Sequence, residues 1–198
     1  MENQERKILV ADPSALGLFG LAMVTLVASS QKLGWTEGVS FIIPWAIFLG
    51  AFAQLFACIS DSKKGNVFGT TAFGAYAFFW MAVAMSWMIK LGVFGQAMAE
   101  NASGTQLGFA FLGYLIFTLY MTYAATATNK VLFFIFVLID FLFLGLSMNG
   151  IWHIEIGHEI AAYSEFAISM LAFYGSAANV FKATFGKEVL PLGKAFNK

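Results

Sequence analysis

The chain has 198 residues, of which 60% are hydrophobic and only 11% charged; a soluble domain carries about 25% charge. Phenylalanine occurs 23 times and the formal net charge is zero. Water cannot hold so apolar a surface, and a neutral chain lacks the clustered basic face that nucleic-acid binding needs. The chain reads as an all-α membrane protein in a lipid bilayer.

Met1 to Val10 is a short tail holding Glu2, Glu5, Arg6 and Lys7. No cleavable signal peptide is expected, because the first apolar run is long enough to span and has no convincing cleavage site. Asp12 is a good N-cap, and Pro13 then falls at the first helical position, where its missing N–H is not needed. Gly17 and Gly20 follow inside an apolar helix, where glycines admit a close neighbour.

A spanning helix needs about 20 mostly apolar residues. Six such runs occur, at about 13–31, 40–60, 67–89, 107–128, 131–148 and 160–181. They lack strict alternation, which favours helices over a barrel. The connections are short: 61–66 joins the second and third spans, and Asn129-Lys130 joins the fourth and fifth as an antiparallel hairpin. The longest is Gly92 to Gln106. No linker rich in Pro or Ser divides the chain, so residues 1–198 are read as one domain, with 1–12 and 182–198 as tails. Nine of the Lys and Arg side chains fall on the face that holds both tails, against Lys32 and Lys90 on the other. That asymmetry puts both termini in the cytoplasm.

Charges inside spans are costly and become functional candidates. Asp140 lies near the middle of the fifth span. It is either a proton or cation site coupled to transport, or a protonated carboxyl bonded to a neighbouring hydroxyl or backbone group. Glu165, about a turn into the sixth span, reads as either interfacial or buried. His153, Glu155, His158 and Glu159 include metal-binding types, but the spacing is weak and a solvated extracytoplasmic loop is the better reading. Cys58 is single and cannot form an internal disulfide. No span core contains the lysine a retinal Schiff base needs, and no hydrolase, zinc or phosphate-loop motif occurs. No enzyme activity, metal or cofactor is expected. Gln54, Thr25, Thr70, Thr71 and Tyr76 each offer a polar group inside a span. Phe73, Tyr76, Phe79 and Trp80 form a stripe that reads as packing, or as the lining of a narrow pore for small neutral molecules or weak acids.

Several segments resemble the acetate uptake transporter family, also called the succinate–acetate permeases. Asp12-Pro13-Ser14-Ala15-Leu16-Gly17-Leu18 resembles its N-P-A-P-L-G-L signature, and the segment from Gly50 to Ala57 its G-G-x-A-Q-x-x-A. The stretch from Lys63 to Tyr76 is similar to K-K-G-N-T-F-G-x-T-A-F-x-S-Y, and Val189 to Gly193 to V-L-P-I-G. The resemblance implies a homohexamer with one pore per protomer in the inner (cytoplasmic) membrane. It implies uptake of acetate and sometimes succinate. It also implies an hourglass pore pinched by Leu21, Tyr76 and Ile139, with Gln54 and Asn66 matching family positions. Thr25 and Phe73 join these as candidate lining, and Asp12, Pro13 and Gly17 as the entrance signature. Leu21 replaces a common Phe, Asp12 replaces the signature Asn, and Ala15 replaces its second Pro. Asp140 directly follows the pinch residue Ile139, where bacterial relatives are neutral, and is the candidate proton site. Two other functions stay open: a channel for a neutral solute such as ammonia or urea, and a membrane sensor that binds small acids without moving them.

Overall fold

The structure, a computed structural model, describes residues 10–197. The tail charges Glu2, Glu5, Arg6, Lys7 and Lys198 lie outside them. The described residues are helical throughout, with no strand. Five helical stretches are long and apolar enough to cross a membrane. They are α1 (Ser14–Lys32), a composite of α2 (Ile42–Trp45), a π-helical segment (Ala46–Ala53) and α3 (Gln54–Lys63), then α4 (Val67–Lys90), α6 (Gly104–Ala125) and α7 (Lys130–Trp152). A short α5 (Gln96–Glu100) interrupts the longest connection, and α8 (Ile156–Phe185) follows α7. At 1.5 Å per residue, α8 is about 45 Å long, more than the hydrocarbon thickness, but it is the most polar of the long helices.

Local chemistry sets the helix starts. The Asp12 side chain accepts the Ser14 N–H at 2.9 Å. Asn66 caps α4 by accepting from Gly69 N–H at 3.2 Å, and Asn129 caps α7 by accepting from Leu132 N–H at 2.9 Å. Each satisfies a donor that the first helical turn leaves free. At the other end of α7, His153 takes a left-handed conformation (φ 55°) and α8 resumes at Ile156. His158 and Glu159 are therefore helical, and the loop expected around them shrinks to residues 153–155. The reason is that His153 alone reverses the chain, at an αL position that non-glycine residues seldom take.

α8 packs along both α1 and α7, α6 packs on α7, and α4 packs on α3. Small residues permit this approach. A side chain at Gly108 would place its Cβ 2.8 Å from the backbone of Gly150, so α6 and α7 meet backbone to backbone. Half of α1's apolar stretch is buried against 22% of α6's, so α6 is peripheral. It turns Phe109, Ile116, Leu119 and Tyr123 outward.

Candidate functional site: a cavity ending at three side chains

The start of α1, the α3–α4 turn, the α6–α7 turn and the chain after α8 meet around one cavity of about 670 Å³. Its outer wall is polar. Asp12, Asp61, Asn66, Asn129 and Lys182 line it, together with part of the chain after α8, residues 188 and 190–194. That last strip is fastened in place: Val131 N–H donates to Leu192 carbonyl at 3.1 Å, and the Tyr174 hydroxyl donates to Pro191 carbonyl at 2.9 Å.

Inward, the lining becomes largely apolar, and in three helices it stops partway along the helix. Along α1 it runs Ser14, Leu18, Leu21; along α7 its last member is Ile139; along α4 its last member is Tyr76. The next residues on those faces, Thr25, Phe143 and Trp80, are buried and do not line it. Leu21, Tyr76 and Ile139 are themselves buried, at 7%, 5% and 3% exposure.

Tyr76 is held by a polar and an aromatic shell. Its hydroxyl lies 2.9 Å from Thr118 Oγ1, and the ring meets Phe117 edge-on at 5.6 Å and Phe136 at 6.1 Å. Thr118 is fully buried and also bonds the Tyr114 carbonyl at 2.7 Å. Thr118 was not among the sequence candidates, although a threonine in an apolar span, one turn before Thr122, was a usable signal.

The other candidates divide. Gln54 and Phe73 line the cavity, with Gln54 giving one amide hydrogen to Gly50 carbonyl at 2.9 Å. Thr25 does not line it; its hydroxyl bonds back to Leu21 carbonyl at 2.7 Å, since a threonine inside an apolar helix finds its nearest acceptor one turn back. Pro13 and Gly17 are also outside the lining. Gly17 instead makes room for Phe73, whose ring occupies the space a side chain there would need. Asp140 faces away from the cavity, toward α6, where the Thr122 hydroxyl donates to it at 2.7 Å; its other oxygen is buried without a partner.

Asp61 sits where spacing did not place it, and Glu165 takes the buried one of its two readings. Asp61, expected in a connection, is inside the last turn of α3 and 3% exposed, with one oxygen unpartnered. Glu165 is buried at 2% exposure and pairs with Lys32 at 2.7 Å, at the opposite end of the bundle. The His158 ring reaches the Lys32 carbonyl at 3.0 Å beside it. Among the described residues no group of three His, Cys, Asp or Glu side chains could hold a metal ion.

Residues 2–191 match the GPR1/FUN34/yaaH family model. This chain belongs to the GPR1/FUN34/yaaH family. It is 32% identical over 188 residues to the succinate-acetate/proton symporter SatP of Escherichia coli K12, covering 94% of this chain and 97% of that one. It is 31% identical over 144 residues to the ammonia transport outward protein 2 of Saccharomyces cerevisiae, covering 70% of this chain and 50% of that one. Among solved structures, that of the bacterial acetate channel SatP superposes with a TM-score of 0.85 at 30% identity, over 93% of this chain and all of that one.

Proposed function

We propose that the protein carries acetate, and succinate or similar small carboxylates, across the inner membrane through one pore per protomer. It is a transport protein and not an enzyme. In this reading residues 1–198 form one six-span domain with α8 as the sixth span, both termini are cytoplasmic, and six copies assemble. The observation that carries it is that α1, α4 and α7 each stop lining the cavity partway along their length, at Leu21, Tyr76 and Ile139. A solute entering from the polar wall loses its water at that apolar ring, and the desolvation cost of a carboxylate makes the ring the step that selects. Similarity to SatP over nearly the full chain supports the substrate class. The meeting of both chain ends around one cavity supports an even number of passes. Asp140 follows Ile139 in the chain but turns toward α6, so any part it plays in proton handling runs through its bond with Thr122 and not through contact with the solute.

Purified protein in liposomes should take up labelled acetate faster than empty liposomes, with unlabelled succinate competing. Uptake equal to that of empty liposomes, with acetate still bound, would leave a sensor. The second reading is an ammonia path, favoured by the yeast relative's name. Labelled methylammonium uptake that acetate fails to inhibit would favour it.

A further inference from the structure

Ser14, Leu18 and Leu21 carry the cavity along α1, at the spacing of one helical face. That face continues through Thr25 and Ala28, each 1% exposed, and comes next to Lys32. Lys32 stands about three turns past Leu21, or about 16 Å, and so on the same side of the helix. On α8, Asn179 lines the cavity, and Glu165 lies about four turns before it on the same side. The pair of Lys32 Nζ and Glu165 Oε2, at 2.7 Å, therefore stands on the line of the cavity, at the end the cavity does not reach.

The tie between α1 and α8 uses only part of the lysine. The Glu165 carboxylate is buried at 2% exposure, but the Lys32 side chain is 15% exposed. An ammonium has three hydrogens to donate, and Glu165 takes one. The His158 ring bonds the Lys32 backbone carbonyl and not its ammonium. Glu37, Glu155 and Glu159 are exposed at this end, so an arriving anion meets an acidic surface around Lys32.

We infer that Lys32 is a carboxylate-binding residue at the second mouth of the pore, and that Glu165 sets how weakly it holds its ligand. This rests on the acetate reading above and adds two residues to it. A solute carboxylate accepts the ammonium hydrogens that Glu165 leaves, while Glu165 keeps its own, so no buried charge loses its partner. Glu165 offsets much of the lysine's charge, and a solute held in this way leaves again. Conduction needs both properties: a site must attract enough to admit and bind weakly enough to release.

The test is the initial rate of labelled acetate uptake against acetate concentration, in right-side-out and in inverted membrane vesicles from expressing cells. The rate of vesicles lacking the protein is subtracted. Lys32→Gln removes the attracting charge, and the half-saturating concentration should rise about fivefold in vesicles whose Lys32 end faces the medium. Glu165→Gln keeps an acceptor for Lys32 and removes the opposing charge, so half-saturation should fall about threefold and the maximum rate should fall with it. A pair that only ties α1 to α8 is broken by either change and would move both variants the same way. The double variant Lys32→Gln with Glu165→Gln leaves no charge unpaired, and its half-saturation should match that of Lys32→Gln. Shifts in one direction for both single variants overturn the inference. So does a folded double variant with the parent's half-saturation in both kinds of vesicle. If the parent's vesicles take up no more acetate than those lacking the protein, the acetate reading itself has failed.

Discussion

The two ends of the bundle treat charge in opposite ways. At one end Lys32 and Glu165 are paired at 2.7 Å with the carboxylate at 2% exposure, and His158 is bonded to the same turn. At the other, Asp12, Asp61 and Lys182 line a cavity, and Asp61 keeps a buried oxygen without a partner. The first arrangement fastens α1 to α8. The second leaves a buried carboxylate oxygen without a partner at the edge of a cavity. Both ends use the same helices, so a fastened end and a receptive end are built by where charges fall along them. Between the two lie Leu21, Tyr76 and Ile139, the proposed ring.

Breaking the fastened end should have the largest effect. Glu165→Ala leaves Lys32 without its partner and should cost about 3 kcal/mol. That is a fall of about 6–12 °C in the melting temperature of the purified protein, read by its intrinsic fluorescence. An unchanged melting temperature would mean that the pair fastens nothing. At the proposed ring, Leu21→Trp puts a larger side chain into the cavity from α1, and acetate uptake should drop about thirtyfold, or some 2 kcal/mol on the barrier. Normal uptake by a folded variant would move the selecting step elsewhere.

Smaller effects sharpen the receptive end. Asp140→Asn keeps the Thr122 hydroxyl bond and removes the charge, and the dependence of uptake on pH between 6 and 7 should change about twofold to threefold. An identical profile would remove Asp140 from proton handling. Asp12→Asn keeps the cap on Ser14 and removes a negative charge from the wall. Acetate uptake at pH 7 should rise about twofold, consistent with under 1 kcal/mol for one charge near water. No change at low ionic strength would show that Asp12 acts on the helix start alone.

The helices were legible because apolar runs of span length leave few alternatives in a bilayer. So were the caps at Asp12, Asn66 and Asn129, which depend on residues three or fewer apart. The ring came from resemblance; no spacing rule joins Leu21, Tyr76 and Ile139. The Lys32–Glu165 pair joins positions 133 apart, and only the packing of α1 on α8 creates it. Asp61 read as a loop residue because it begins a charged run, yet α3 continues to Lys63 and buries it. Thr25 and Thr118 look alike in sequence. One bonds within its own helix alone and the other also reaches Tyr76, a difference set by which helix lies opposite.

The strip of residues 188–194 has a consequence for how the protein is made. The helices that wall the cavity emerge from the ribosome before the strip that borders it, and the strip docks on Val131 and Tyr174, made earlier. In order of synthesis, the border of the cavity is therefore completed after the helices that wall it. A growing chain holds that cavity open on one side until residues 188–194 are made.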